Sequence, residues 1–123
     1  MKIRDAIESD LSAIVEIYNA AIPGRMATAD TEPISVENRL PWFSEHSPTS
    51  RPLWVMEVGN KVVGWISFQS FYGRPAYNKT VELSIYIAPI YRYQGIGKKL
   101  LEHAIQQSPS LEVKTLLGFI FAH

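Results

Sequence analysis

Cysteine is missing from all 123 residues, which removes disulfides, thiolate metal sites and a cysteine nucleophile together. An excess of charge is missing too, since 12 basic residues balance 12 acidic ones. A neutral chain without a basic stripe offers no electrostatic footprint for nucleic acid. No apolar run approaches the ~20 residues of a membrane span, and the opening MKIRDAIESD has no hydrophobic signal core. His46, His103 and His123 are scattered without ligand spacing, so no metal is expected. These absences imply a soluble cytoplasmic protein without nucleic-acid, membrane or metal partners.

What is present suits a globular fold. Hydrophobic residues make up 46% and charged residues 20%, enough for a real core, and 123 residues allow one compact domain of α/β or α+β type over 1–123. Residues 2–7 (KIRDAI) alternate as a short strand. Ser9 and Asp10 then offer N-cap oxygens to a helix over 11–22, where Leu11, Ile14, Val15, Tyr18 and Ile22 form a core-facing stripe. Pro23-Gly24 closes it, and an irregular loop follows over 24–34.

Ser35 caps a second predicted helix over 35–46, which Pro41 should break or kink. Residues 53–58 and 61–69 flank Gly59-Asn60 and read as a β-hairpin with a two-residue turn. An aromatic loop, FYGRPAYNK, leads into a strand over 80–88. A helix over 98–107 follows, with Leu100, Leu101, Ala104 and Ile105 on one side. The chain finishes on LEVKTLLGFIFAH, a strand apolar enough to be buried on both faces. The order is β-α-α-β-β-β-α-β, with helices flanking a mixed sheet. A buried strand with an open edge at the terminus is a pairing hazard, so the chain is expected to be truncated at its C-terminus.

The chemistry concentrates in YRYQGIGKK, between the 80–88 strand and the next helix. A P-loop fails twice there: Arg92 stands in place of the first glycine and Lys99 in place of Ser/Thr. A dinucleotide fingerprint fails because position 100 is Leu. Glycines at 95 and 97 would still let the backbone approach a pyrophosphate, with the N–H groups of residues 93–98 and the helix macrodipole facing it. Lys98 and Lys99 add charge at the rim.

Arg92-x-x-Gly95-x-Gly97, after a strand and the run A-P-I-Y-R, resembles the acyl-CoA-binding signature of the GNAT superfamily of N-acetyltransferases. The resemblance extends to RDAIESDLSAIVEIYNAAI, GRMATADTEP, RPLWVMEVGNKVVGWISF, FYGRPAYNKTVELSIYI and LLGFIFAH, essentially residues 2–123. These are similar to the branch that contains phosphinothricin acetyltransferase and the methionine sulfone and sulfoximine acetyltransferases. That family continues with a helix and two more strands.

The resemblance implies a GNAT (acyl-CoA N-acyltransferase) fold, acetyl-CoA as cosubstrate and a small amine as acceptor. It places the pyrophosphate on Arg92, Tyr93, Gln94, Gly95, Ile96, Gly97 and Lys98. It pairs the backbone of Ile85, Tyr86 and Ile87 with the pantetheine amides, and the N–H near Ile87 with the oxyanion of the tetrahedral intermediate. It makes Glu82 the general base. Taken alone, Glu82 reads as a solvated or salt-bridged residue, although a mid-strand carboxylate asks for a reason. Arg74 is either a clamp for a substrate carboxylate, with Phe71, Tyr72 and Tyr77 as apolar walls, or simply solvated. Met26 and Arg25 are further wall candidates. Trp42, Trp54 and Trp65 read as core or interface, and His46 and His103 as surface residues.

Enzymes of this kind are commonly homodimers, which implies a homodimer here, swapped or edge-paired through the last strand. Two other readings stand beside the enzyme: a truncated CoA-binding module without turnover, and a structural domain whose GIG is a plain capping turn.

Overall fold

The computed structural model describes residues 1–21, 34–49, 51–70, 80–111 and 115–120. Five strands form one sheet in the order β1-β2-β3-β4-β5: Lys2–Asp5, Leu53–Val58, Lys61–Ser70, Thr80–Ile87 and Thr115–Ile120. The first four are antiparallel neighbours and β5 runs parallel to β4. A parallel pair needs a long crossover, and α3 (Ile96–Gln107) provides it. Helices α1 (Leu11–Ala21) and α2 (Val36–Ser44) precede β2, so the expected element order is the one observed.

Alternation along the strands divides the core between two faces. Val81, Leu83, Ile85 and Ile87 of β4 join Ile66 and Phe68 of β3 under Ile96, Leu100 and Ala104 of α3. On the opposite face Trp65 and Tyr86 join Val55 under Leu11, Ile14, Val15 and Tyr18 of α1. Burying each large aliphatic side chain contributes roughly 1.5–3 kcal/mol. Such strands are fixed in register, because a one-residue slip would exchange the two faces. A bulge interrupts the β2–β3 ladder, where Met56 faces Gly64 but Glu57 faces Val62. That lets Val63 turn into the α3-side core along with Ile66 and Phe68. The hairpin closes through Gly59 and Asn60 at φ 55° and 65°, the left-handed pair that a two-residue turn demands.

Several local expectations need correction. Asp10 does not cap α1. It ends a short 3₁₀ turn (Glu8–Asp10), accepts the Ile7 N–H at 2.8 Å and takes both Arg4 guanidinium nitrogens at 2.7 and 3.0 Å. Arg4 also reaches Glu57, so one guanidinium ties β1 to the turn and to β2. Ser35 does cap α2, accepting from Asn38 N–H at 3.2 Å. Pro41 does not break that helix, which runs on to Ser44 without the bond that a Pro41 N–H would have made. Helix α3 starts two residues before the expected Lys98, and its Ile105 is 55% exposed instead of packed. Ile17 and Ala21 complete the buried stripe of α1, while Ile22 lies outside the described residues. The side chains of β5, expected to be buried on both faces, also lie outside the described residues.

Candidate functional site

Strand β4 links two features. Its even-numbered side chains face the α1 layer, where Glu82 lies opposite Gln69, Ser84 opposite Ser67, and Tyr86 opposite Trp65. Beyond Ser84 and Tyr86 the chain leaves the sheet and enters the glycine turn. The described β4–β5 ladder runs from Thr80 to Ile85, so Tyr86 and Ile87 lie past its last pair. On the other side β4 stays attached to β3, with Gly64 opposite Ile87 and Ala88 N–H on Val63 carbonyl at 2.8 Å.

Between β4 and α3 the chain makes a 3₁₀ turn, Pro89–Tyr91, and then two left-handed residues, Tyr93 at φ 64° and Gly95 at φ 80°. Gly95 is the N-cap of α3, and the first internal helix bond runs from Lys99 N–H to its carbonyl at 3.1 Å. The N–H groups of Ile96, Gly97 and Lys98 therefore precede the helix's first internal bond and sit at the positive end of its macrodipole. A Cβ on Gly95 would meet nothing within 4 Å, so this side of the turn is open. Arg92 is half-buried, and its Nε is buried with no partner among the described residues. An unmet donor beside open backbone N–H groups fits an anionic group such as a pyrophosphate. Ile85, Ile87 and Ile96 are at most 1% exposed, and their side chains belong to the core under α3. Tyr93, Gln94 and Lys98 are exposed, and Gln94 Nε2 holds the Ile90 carbonyl at 3.3 Å.

On the α1 side lies a cavity of about 160 Å³. Its aromatic walls are Tyr18, Trp42, Trp65 and Tyr86, its polar floor is Ser67, Gln69 and Ser84, and Arg39 of α2 stands at its side. Drug-sized ligand sites run to ~300–1,000 Å³, so this cavity suits a smaller molecule. Rings lock the walls together. Trp65 stacks on Tyr86 at 4.7 Å, Trp42 meets Trp65 edge-on at 5.5 Å, and Tyr18 tilts against Tyr86 at 5.3 Å. The Arg39 guanidinium lies 4.9 Å from the Tyr18 ring centre and 5.4 Å from that of Trp42. Asn19 fixes the start of this wall, with its side-chain amide donating to and accepting from the Ile34 backbone at 3.0 and 2.9 Å.

Glu82, the first residue chosen from sequence, is half-exposed, one same-face position beyond Ser84. Met26, Phe71, Tyr72, Arg74 and Tyr77 lie outside the described residues. Trp42 and Trp65, expected only as core or interface, also line the cavity. Arg39 and the Ser67–Gln69 floor were not singled out from sequence. The alternation of Ser67 and Gln69 with Ile66 and Phe68 carried a signal for the floor, but nothing local marked Arg39. His46 is not a plain surface residue. It is half-buried, its Nδ1 lies 2.9 Å from the Trp42 carbonyl, and its ring meets Trp42 edge-on at 4.7 Å. His103 packs edge-on against Trp54 at 4.6 Å. Among the described residues no group of three or more His, Asp or Glu could hold a metal, and no helix is long and apolar enough to cross a membrane.

The family described as acetyltransferase (GNAT) matches residues 11–121. YwnH of Bacillus subtilis, provisionally named a phosphinothricin acetyltransferase, is 52% identical over 124 residues, covering 100% of this chain and 76% of that protein. The L-amino acid N-acyltransferase MnaT of Escherichia coli is 33% identical over 108 residues, 88% of this chain and 63% of MnaT. The crystal structure of a GNAT superfamily phosphinothricin acetyltransferase from Sinorhizobium meliloti, in complex with acetyl-CoA, superposes with a TM-score of 0.82 at 33% identity. It covers 89% of this chain and 60% of that one.

Proposed function

The chain belongs to the GNAT family of acetyltransferases, which use acetyl-CoA, and from this we propose that it acetylates the primary amine of a small amino-acid-like molecule. The acceptor is of the phosphinothricin or methionine sulfoximine type, and transfer is by direct attack in a ternary complex. The observation that carries this reading is the double role of β4, which supplies Ser84 and Tyr86 to the cavity and then delivers the chain to the Gly95 turn.

When bound, acetyl-CoA supplies the acetyl group as a thioester. The N–H groups from Tyr93 to Lys98, with Arg92, Gly95 and Gly97, would hold its pyrophosphate, and the main chain of Tyr86 and Ile87 would pair with its amides; Ile85, expected to share that pairing, is already laddered to β3 and β5. The Ile87 N–H donates to the oxygen on which negative charge develops. An amine is mostly protonated at neutral pH and only its free base attacks, so the Glu82 carboxylate accepts the amine proton, directly or through water. With no cysteine in the chain, no thioester to the protein intervenes. The family resemblance would give the acceptor's carboxylate to Arg74 and its apolar walls to Phe71, Tyr72, Tyr77 and Met26, all of which lie outside the described residues. The assembly proposed is a cytoplasmic homodimer.

The test is free-thiol release from acetyl-CoA in the presence of a panel of amino acids, with CoA affinity measured by calorimetry. Amine-dependent thiol release supports the enzyme. CoA binding without release on any amine points to a binding module, and absence of CoA binding sinks both.

A further inference from the structure

Among the described residues, Glu82 does not line the cavity. Its neighbours there are Ser84, one same-face position nearer the Gly95 turn, and Gln69 across the ladder. A strand advances ~3.3 Å per residue, so along β4 Glu82 lies ~7 Å from Ser84 and ~13 Å from Tyr86. The longer span exceeds a carboxylate side chain and one hydrogen bond of ~3 Å. An amine at the Tyr86 end is therefore out of direct reach of Glu82.

Hydroxyls occupy the space between. Ser67 stands opposite Ser84 in the β3–β4 ladder and is only 2% exposed. Neither serine side chain has a hydrogen-bond partner among the described residues, and both face the cavity. A hydroxyl so deeply buried ordinarily has a partner, so the open Ser67 implies that a group within the cavity completes it. We propose that the Ser84 hydroxyl relays the proton of the acceptor amine to Glu82, and that Ser67 positions it. This assignment rests on the acetyltransfer reading given above, which puts the reacting amine near Tyr86 and the Ile87 N–H.

The relay balances. An ammonium N–H breaks and its proton passes to the Ser84 oxygen, while the Ser84 hydroxyl proton passes to the Glu82 carboxylate. What results is a free amine, an unchanged serine and a carboxylic acid. Gln69 shares the floor but cannot do this. A hydroxyl accepts and donates at one oxygen, whereas an amide accepts at oxygen and donates from nitrogen. The other titratable groups facing the cavity are Tyr18 of α1, Arg39 of α2 and Tyr86 of β4, and none is a carboxylate.

The test follows thiol release with L-methionine sulfone across pH, and acetyl-CoA binding by calorimetry. It uses wild type, Ser84→Ala, Ser84→Thr, Ser67→Ala, Glu82→Gln and the Ser84→Ala/Glu82→Gln double variant. Ser84→Ala should lower kcat about 10- to 100-fold at neutral pH, toward the lower end of general-base effects because water can enter the gap. Its shortfall should shrink as pH rises and the amine arrives unprotonated, whereas a packing defect would persist at every pH. Ser84→Thr, which keeps the hydroxyl, should restore most of the rate. Ser67→Ala should cost less and follow the same pH trend. In the double variant the losses should not multiply, because both residues serve one transfer. Acetyl-CoA affinity should hold at the wild-type value throughout. Turnover by wild type with Ser84→Ala above about half its kcat overturns the relay and leaves the acetyltransfer reading standing. Multiplied losses, or a shortfall constant with pH, do the same. No thiol release by wild type, despite acetyl-CoA binding, removes the acetyltransfer reading and the relay with it.

Discussion

Trp65 donates its indole N–H to the carbonyl oxygen of Ile14 across 3.1 Å, inside the core. That bond pins β3 to the middle of α1 directly beside the cavity, and the same indole stacks on Tyr86. Trp65→Phe keeps a ring but loses the donor and part of the volume. It should lower stability by about 2 kcal/mol in urea denaturation. If the cavity it lines is the acceptor site, the substitution should also raise KM for the acceptor amine more than KM for acetyl-CoA. Equal effects on both constants would show that α1 and the turn loosen together.

Much of this arrangement was legible in the sequence. The period of two in TVELSIYI sets Glu82 and Ser84 apart from the buried Val81, Leu83 and Ile85, and the pattern at Arg92, Gly95 and Gly97 marks the turn. Local chemistry is enough for both. The cavity was not legible, because it depends on how α2 lies over the sheet. No α2 residue is fully buried, so the helix has no strong periodic stripe from which to infer its facing side. Trp42 and Arg39 gain their roles only through contacts with Trp65 and Tyr18. Asp10 was misread for a similar reason. An N-cap is a local guess, and Arg4, six residues earlier, competed for the same carboxylate.

Two glycines near the turn should respond differently to alanine. A Cβ on Gly64 would fall 2.8 Å from Ile87 Cδ1, 3.2 Å from the Tyr86 carbonyl and 3.3 Å from Ile96 Cγ2, in a fully packed region. Gly64→Ala should cost about 1–3 kcal/mol by overpacking, and should weaken acetyl-CoA binding by displacing the end of β4 and the start of α3. Gly95→Ala meets open space, so its cost is the left-handed backbone, about 1–2 kcal/mol. Its stability loss should be the smaller one, while CoA affinity still falls because the added methyl lies on the ligand side. Calorimetry with CoA, set against denaturation midpoints, separates the two.

Acid stability should depend on Asp10. Hydrogen bonds from Arg4 hold its carboxyl below the ordinary carboxylate value, against the opposing effect of burial. A carboxyl depressed in the folded state stabilises the fold above its unfolded value near 4, and that stabilisation fades as pH falls through the lower folded value. Asp10→Asn should therefore cost about 1–3 kcal/mol at pH 7 and progressively less as pH drops below ~4. Urea midpoints from pH 7 down to 2 follow this, and a pH-independent difference between the two proteins would contradict it.

His46 should add a second pH dependence at higher pH. Burial holds its imidazole below the usual histidine range, although the Trp42 carbonyl and Glu45 favour the charged form. A base depressed in the folded state leaves its stabilisation intact above the unfolded value near 6.5, and loses it as pH falls through the folded value. Nδ1–H donates to the Trp42 carbonyl whether the ring is neutral or charged, so protonation adds its proton at Nε2, which is buried without a hydrogen-bond partner among the described residues. Stability should decline from about pH 6.5 downward, and less steeply in His46→Gln. Denaturation midpoints between pH 8 and 5 make the comparison.

Glu82 carries the last prediction. It stands opposite Gln69, half-exposed, one same-face position beyond the Ser84 that lines the cavity. If its carboxylate accepts the amine proton, Glu82→Gln should lower kcat by about 10²–10⁴ while leaving acetyl-CoA affinity and the denaturation midpoint near wild type. Because Gln is nearly isosteric, a loss of packing cannot mimic that combination. Raising the pH supplies more free amine, so the variant should recover activity in alkali more steeply than wild type. If Glu82→Gln keeps more than about a tenth of the wild-type rate at neutral pH, the residue is only a solvated part of the sheet face, and proton acceptance falls to water alone.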